Sequence, residues 1–142
     1  LSLIVHAGVL AGIDAASSWE RFLVALHSDV GDLQGGTTPE GIHTGVMAGT
    51  LDLVQRIYLG TEVREGVVFF EPRLRDRLDG LSLLMQFHGT PIRVGIEGSE
   101  LTVEALTEGF SEPVKIGVGD DVRELTAGER CKFPLGSRVG HA

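Results

Sequence analysis

At 142 residues and a formal charge of −8, the chain lacks the clustered Lys and Arg that a nucleic-acid surface demands. No apolar run approaches the roughly 18 residues needed to cross a bilayer, so no membrane association is expected. A single cysteine, Cys131, excludes an internal disulfide and fits a reducing compartment, which makes a cytoplasmic location the expectation.

The chain opens inside an apolar run, Leu1-Ser2-Leu3-Ile4-Val5, without Met. The run has neither the basic region nor the small-residue cleavage site of a signal peptide, and it reads as a piece of a longer protein. Leu1, Ile4, Val5, Gly8 and Val9 follow helical spacing, and Leu3, Ala7 and Leu10 fill the gaps. A helix apolar almost all round is expected to be buried, and His6 on it to be buried with one hydrogen bond. Ser17-x-x-Glu20 reads as a capping box that opens a second helix near Ser17. Trp19, Phe22, Leu23, Leu26 and Val30 then form its apolar stripe.

A third helix is expected from Pro39 to about Leu59. Pro39 suits its first position, Thr38 its N-cap, and Glu40 its first turn. Ile42, Val46, Gly49, Leu53 and Ile57 line one side, and Gly60 suits the residue just past the end. Gly41, Gly45 and Gly49 recur every four residues on it. At about 1 kcal/mol each relative to Ala, three glycines point to close helix–helix approach rather than to ligand contact.

After Gly60 the period changes from helical to two. Leu81, Leu83, Met85 and Phe87 alternate with Ser82, Leu84, Gln86 and His88; Ile92, Val94 and Ile96, then Leu101, Val103 and Ala105, continue the pattern. Turn signals fall at Gly89-Thr90-Pro91, Gly98-Ser99, Gly119-Asp120 and Ala127-Gly128. Short strands at this spacing imply an antiparallel sandwich with one face of each sheet buried. Leu83, Met85, Phe87, Val94, Ile96 and Val103 are the expected core, with Ser82 and Gln86 facing water. Cys131 is expected to pack in a strand, and Gly136–Ala142 to form a tail. Arg73, Arg75 and Arg77, interrupted by Asp76 and flanked by Glu71 and Asp79, read as a solvated loop.

The most informative stretch is Gly35–Thr50. A glycine-rich loop, Gly35-Gly36-Thr37-Thr38, feeding a helix N-terminus offers several N–H groups and a partial positive charge, which is an anion subsite and most often one for phosphate. His43 adds a donor that is charged below its pKa. The competing reading is an ordinary helix start with no ligand and a packed or exposed His43. Neither Gly-x-x-x-x-Gly-Lys-[Ser/Thr] nor Gly-x-Gly-x-x-Gly occurs, so no nucleotide loop is implied. His6, His27, His43, His88 and His141 lack zinc-site spacing, and no metal is expected. His88 reads as solvated on the polar face of a strand. Ser2 has no nucleophile elbow around it.

Longer motifs narrow these alternatives. Leu1-Ser2 with Val5-His6-Ala7, Ser28-Asp29-Val30, Gln34-Gly35-Gly36-Thr37-Thr38-Pro39-Glu40-Gly41-Ile42-His43 and Met47-Ala48-Gly49-Thr50-Leu51-Asp52-Leu53-Val54-Gln55-Arg56 together resemble the end of the catalytic domain of glycoside hydrolase family 65. These are inverting phosphorylases and hydrolases of α-glucosides such as maltose, trehalose and kojibiose. Thr61 to Leu135 resembles the small β-sandwich that follows the barrel in that family. The resemblance implies an α+β chain: residues 1–60 as the last helices of an (α/α)6 barrel catalytic domain, 61–135 as a C-terminal antiparallel β-sandwich domain, and 136–142 as a tail. It implies that Gly35, Gly36, Thr37, Thr38 and His43 line the phosphate position. It also implies no cofactor, inorganic phosphate and a disaccharide α-glucoside as substrates, and a full-length enzyme that could be a homodimer.

Inverting attack needs a general acid on the leaving oxygen and a nucleophile on the opposite face. A hydrolase activates water with a carboxylate, whereas a phosphorylase holds phosphate with donors. The loop and His43 are donors. Of the nearby carboxylates, Glu40 reads as a helix-start residue and Asp32 as a turn residue, while Asp29 is a third. No residue here matches the family's general acid, which is expected upstream, so no catalytic residue is assigned to this chain. Three readings stand: part of a phosphorylase, part of an acid-trehalase-like hydrolase of the same family, and a non-catalytic sugar-binding or scaffold module. Against the third, no cluster of aromatic residues offers a sugar platform.

Overall fold

The computed structural model of the chain describes residues 2–28, 31, 41, 43–73 and 78–136. It divides at Gly60 into a helical unit, Leu1–Gly60, and a β unit, Thr61–Ala142.

In the helical unit, α1 (Ser2–Leu10) packs against α2 (Ala15–His27). Asp14, not Ser17, caps α2. Its Oδ1 accepts from the N–H groups of Ala16 and Ser17 at 3.1 Å each, and Ser17 Oγ donates to Oδ2 at 2.6 Å. A carboxylate facing the helix N-terminus outcompetes the hydroxyl expected there, and the cap lies three residues earlier than the capping box indicated. The buried face of α2 is Ser18, Phe22 and Ala25. Trp19 and Leu23 are half-buried, Leu26 is exposed, and Val30 lies outside the described residues.

The expectation of an all-round buried first helix does not hold within this chain. On α1 only Ala7 is buried, Val5 and Val9 are 58% and 63% exposed, and His6 is exposed as well. The neighbouring helices cover one side of α1 and leave the other open.

The third helix also begins later than the sequence implied. Gly41 has φ +113, outside right-handed helical space, and His43 is the N-cap of α3 (Thr44–Asp52). Thr38, Pro39, Glu40 and Ile42 lie outside the described residues. Gly41 is therefore not a helix glycine, and Gly45 faces open space. Gly49 alone of the three makes the close approach: a Cβ there would meet Ile4 Cδ1 at 2.7 Å.

From Leu53 to Tyr58 the helix continues as a π-helix, closed by Leu59 N–H donating to the Val54 carbonyl at 2.8 Å. Leu53 and Tyr58 are both buried. At 100° per residue, an α-helix would set them about 140° apart; the wider turns bring both inward. Gly60, with φ +65, terminates the segment as expected.

The β unit contains β1 (Thr61–Arg64), β2 (Val67–Phe70), β3 (Gly80–Phe87), β4 (Thr90–Glu97), β5 (Glu100–Ala105), β6 (Val114–Val118), β7 (Asp121–Leu125) and β8 (Arg130–Pro134). They form two four-stranded sheets, β1-β2-β6-β7 and β3-β4-β5-β8. The pairing is antiparallel except for β2 with β6, which are parallel. The wholly antiparallel expectation fails there because β3, β4 and β5 intervene in the other sheet. That connection is long enough to return the chain in the same direction.

The predicted register is correct. Leu83 pairs with Val94 and Val94 with Val103, while Met85 pairs with Ile92 and Leu81 with Ile96. Val94 and Val103 are buried, and Ser82 and Gln86 face water. Leu83, Met85 and Phe87 are half-buried because β3 is an edge strand, and Ile96 is half-buried on β4. Ile92, Leu101, Phe133, Val68, Phe70, Val114 and Ile116 complete the core. Cys131 is buried in β8, and burial pushes its thiol pKa up.

His88 is in the β3–β4 turn, not on a strand face. His88 and Gly89 both have positive φ, +49 and +80, the geometry a two-residue hairpin requires. Next to it, the fully buried Thr90 hydroxyl donates to the Glu112 carbonyl at 2.7 Å. The same oxygen accepts from the N–H groups of Ser111 and Glu112 at 3.1 and 3.0 Å. This hydroxyl fastens the β5–β6 loop to β4. The residues beyond Gly136 lie outside the described set.

Thr90→Val, which keeps the shape and removes the hydroxyl, should destabilise the chain by about 1–3 kcal/mol, read as a lower urea midpoint by circular dichroism. The open face of α1, with Ile13 at 80% and Leu51 at 68% exposure in the same unit, should make the isolated chain bind a hydrophobic dye and self-associate. Size-exclusion chromatography showing a dye-silent monomer would contradict this.

Candidate functional site

The site begins with His43. Its backbone carbonyl accepts from Val46 N–H at 2.8 Å and Met47 N–H at 3.2 Å, which starts α3. Its φ and ψ, −76 and 82, turn the incoming chain away from the helix axis. The ring makes no side-chain cap hydrogen bond, and the residue is half-buried. Thr44 and Gly45 follow, both exposed, and their N–H groups have no acceptor inside the helix. A partial positive charge is therefore displayed at the start of α3, next to the His43 side chain. Such an arrangement can hold an anion.

Of the expected site residues, His43 is placed at this helix start. Gly35, Gly36, Thr37 and Thr38 lie outside the described residues, as do the carboxylates Asp29, Asp32 and Glu40. His27 Nδ1 is 2.8 Å from the Leu23 carbonyl in its own helix. His88 Nδ1 is 3.0 Å from Glu112 Oε1, on an exposed turn. Among the described residues no group of His, Cys, Asp and Glu could hold a metal ion. No helix among them is long and apolar enough to cross a membrane.

The polar feature that sequence reasoning missed is the Ser18–Tyr58 pair. Ser18 is fully buried, and its Oγ donates to the Ala7 carbonyl at 2.7 Å and lies 3.0 Å from the Tyr58 hydroxyl. The hydroxyl also donates to the Ser18 carbonyl at 3.2 Å. Burial holds the Tyr58 pKa above its ordinary value, and the Ser18 hydrogen bond opposes this. Trp19 and Phe22 pack on the same ring, with centroids 5.9 and 5.3 Å from it. The only sequence signal was a serine among apolar positions of α2.

Residues 61–125 match the C-terminal domain of glycosyl hydrolase family 65. The chain belongs to this family. An uncharacterised glycosyl hydrolase of Mycobacterium tuberculosis is 37% identical over 90% of this family 65 chain and 10% of its own length. The trehalose 6-phosphate phosphorylase of Lactococcus lactis is 35% identical over 89% of this chain and 16% of its own. A solved structure described as a "putative kojibiose phosphorylase from human microbiome" superposes with a TM-score of 0.77 at 16% identity, over 94% of this chain and 17% of that one. At that identity the likeness is one of fold. The chain thus spans between a tenth and a sixth of the length of these curated relatives.

Proposed function

We propose that the chain is the C-terminal part of an inverting α-glucoside phosphorylase and supplies part of its phosphate subsite. The observation that carries this is His43 as the N-cap of α3, beside the exposed first-turn residues Thr44 and Gly45. The preceding Gly35-Gly36-Thr37-Thr38 adds loop N–H and hydroxyl donors in sequence, and curated relatives carry phosphorylase names. In this reading the helical unit is the end of an (α/α)6 barrel.

Phosphate enters the reaction already anionic. It needs no base, only donors that hold one oxygen in line with the anomeric carbon while an acid from elsewhere in the enzyme protonates the leaving oxygen. The helix N-terminus and His43 fit that holding role. No cofactor is required; inorganic phosphate and a disaccharide are the substrates. The second reading, a hydrolase, draws on the relative named as a glycosyl hydrolase; it would place a base carboxylate outside this chain.

In the full-length enzyme, His43→Ala should cut efficiency toward phosphate about 10- to 100-fold, because a hydrogen bond to a charged group is worth roughly 1.5–3 kcal/mol. Binding of the donor sugar should change much less. The measurement is phosphorolysis rate against phosphate concentration at saturating disaccharide. An unchanged curve, or equally fast cleavage by the wild type without phosphate, favours the hydrolase.

A further inference from the structure

Two contacts hold the α3–π segment to the rest of the helical unit without belonging to its N-terminus. At Gly49 the backbone of α3 comes so near α1 that a Cβ would lie 2.7 Å from Ile4 Cδ1 and 3.3 Å from Ile4 Cγ2. Further along, the Tyr58 hydroxyl reaches Ser18 Oγ at 3.0 Å and the Ser18 carbonyl at 3.2 Å. The Ser18 hydroxyl proton is committed to the Ala7 carbonyl at 2.7 Å, so the phenol is the donor in this chain and shares its one proton between the two Ser18 oxygens.

A phenylalanine ring would fill the same space between Trp19 and Phe22. What the hydroxyl adds is direction. It ties α1, α2 and the π-helix at one buried point, and a slide or rotation of the segment by about an ångström would carry it out of hydrogen-bond range. The Gly49 contact fixes how closely α3 lies against α1. His43 caps the same continuous helix, six residues before Gly49.

We propose that Gly49 and Tyr58 are positioning residues for the anion subsite at the start of α3. Together they set the depth and rotation of the helix that presents His43 and the first-turn N–H groups to phosphate. The inference rests on the phosphate-subsite reading given above.

The test uses the full-length enzyme, with inorganic phosphate as the varied substrate. Tyr58→Phe raises KM for phosphate about 2- to 10-fold, leaves kcat and the KM for the disaccharide unchanged, and loses its effect in a His43→Ala background. Gly49→Ala moves the phosphate KM in the same direction. Adding Ile4→Val, which removes the Cδ1 that the new methyl meets, restores it. A Tyr58→Phe enzyme with an unaltered phosphate KM, or one whose effect adds in full to that of His43→Ala, overturns the proposal and leaves the subsite reading standing. So does a lowered melting temperature with no change in phosphate KM. A His43→Ala enzyme with unaltered phosphate dependence overturns the subsite reading and the positioning role with it.

Discussion

The helical unit is organised around one buried serine. Ser18 has no exposed surface, so its hydroxyl has to be satisfied by protein, and the Ala7 carbonyl and Tyr58 hydroxyl do so from two other segments. An alanine there would ask nothing of its neighbours; the serine demands that α1 and the π-helix arrive in one arrangement. The aromatic contacts among Trp19, Phe22 and Tyr58 add area without direction. The π-helix takes its placement from that requirement, and α3 from the Gly49 contact with Ile4 as well.

The β unit uses a different division of labour. Its interior is apolar apart from the Thr90 hydroxyl, while specificity of pairing is written on the outer face of the β3-β4-β5-β8 sheet. Arg93, Glu104 and Arg130 are register partners across three strands, and both arginines reach Glu104 Oε2, at 3.0 and 3.1 Å. The Arg130 hydrogen bond, then the two arginine charges, hold the Glu104 carboxyl below its usual range. Exposed pairs of this kind add little stability. A one-residue slip would nevertheless set unlike partners opposite one another and move the apolar set to the water face. On the β1-β2-β6-β7 sheet, the Phe69 ring covers Gly117, where a Cβ would come within 2.5 Å of it, and Arg64 stacks on Phe69 at 4.2 Å.

Much of this was legible in the sequence. Period-two spacing from Leu81 to Ala105 gave strands, faces and register, because alternation on a half-buried sheet allows one solution. Gly60 marked the helix end, since only a residue tolerant of positive φ fits there. The helix starts were less legible. Asp14 and Ser17 are both good caps, and the choice depends on where the preceding turn leaves the carboxylate. Pro39 and Thr38 have the residue types of a helix start, but Gly41 breaks the run before His43. The parallel β2–β6 pair could not be read locally, being a property of three intervening strands. At the candidate site His43 was visible through its neighbours in sequence, whereas Ser18 and Tyr58 were not. A lone serine in an apolar stripe and a tyrosine at a helix end are each unremarkable until the fold brings them within 3.0 Å.

The π-helix from Leu53 to Tyr58 has a consequence for how this segment tolerates change in length. Two inward residues five apart do with wide turns what an α-helix does with residues four apart. The segment therefore carries one residue more than its geometry needs, and absorbs it between the Gly49 contact and the Tyr58 hydroxyl without shifting either. A chain lacking one residue in that interval would keep the same inward leucine and tyrosine on an ordinary α-helix. Loss of one residue, usually among the most disruptive events inside a helix, would here leave both inward side chains facing the same way.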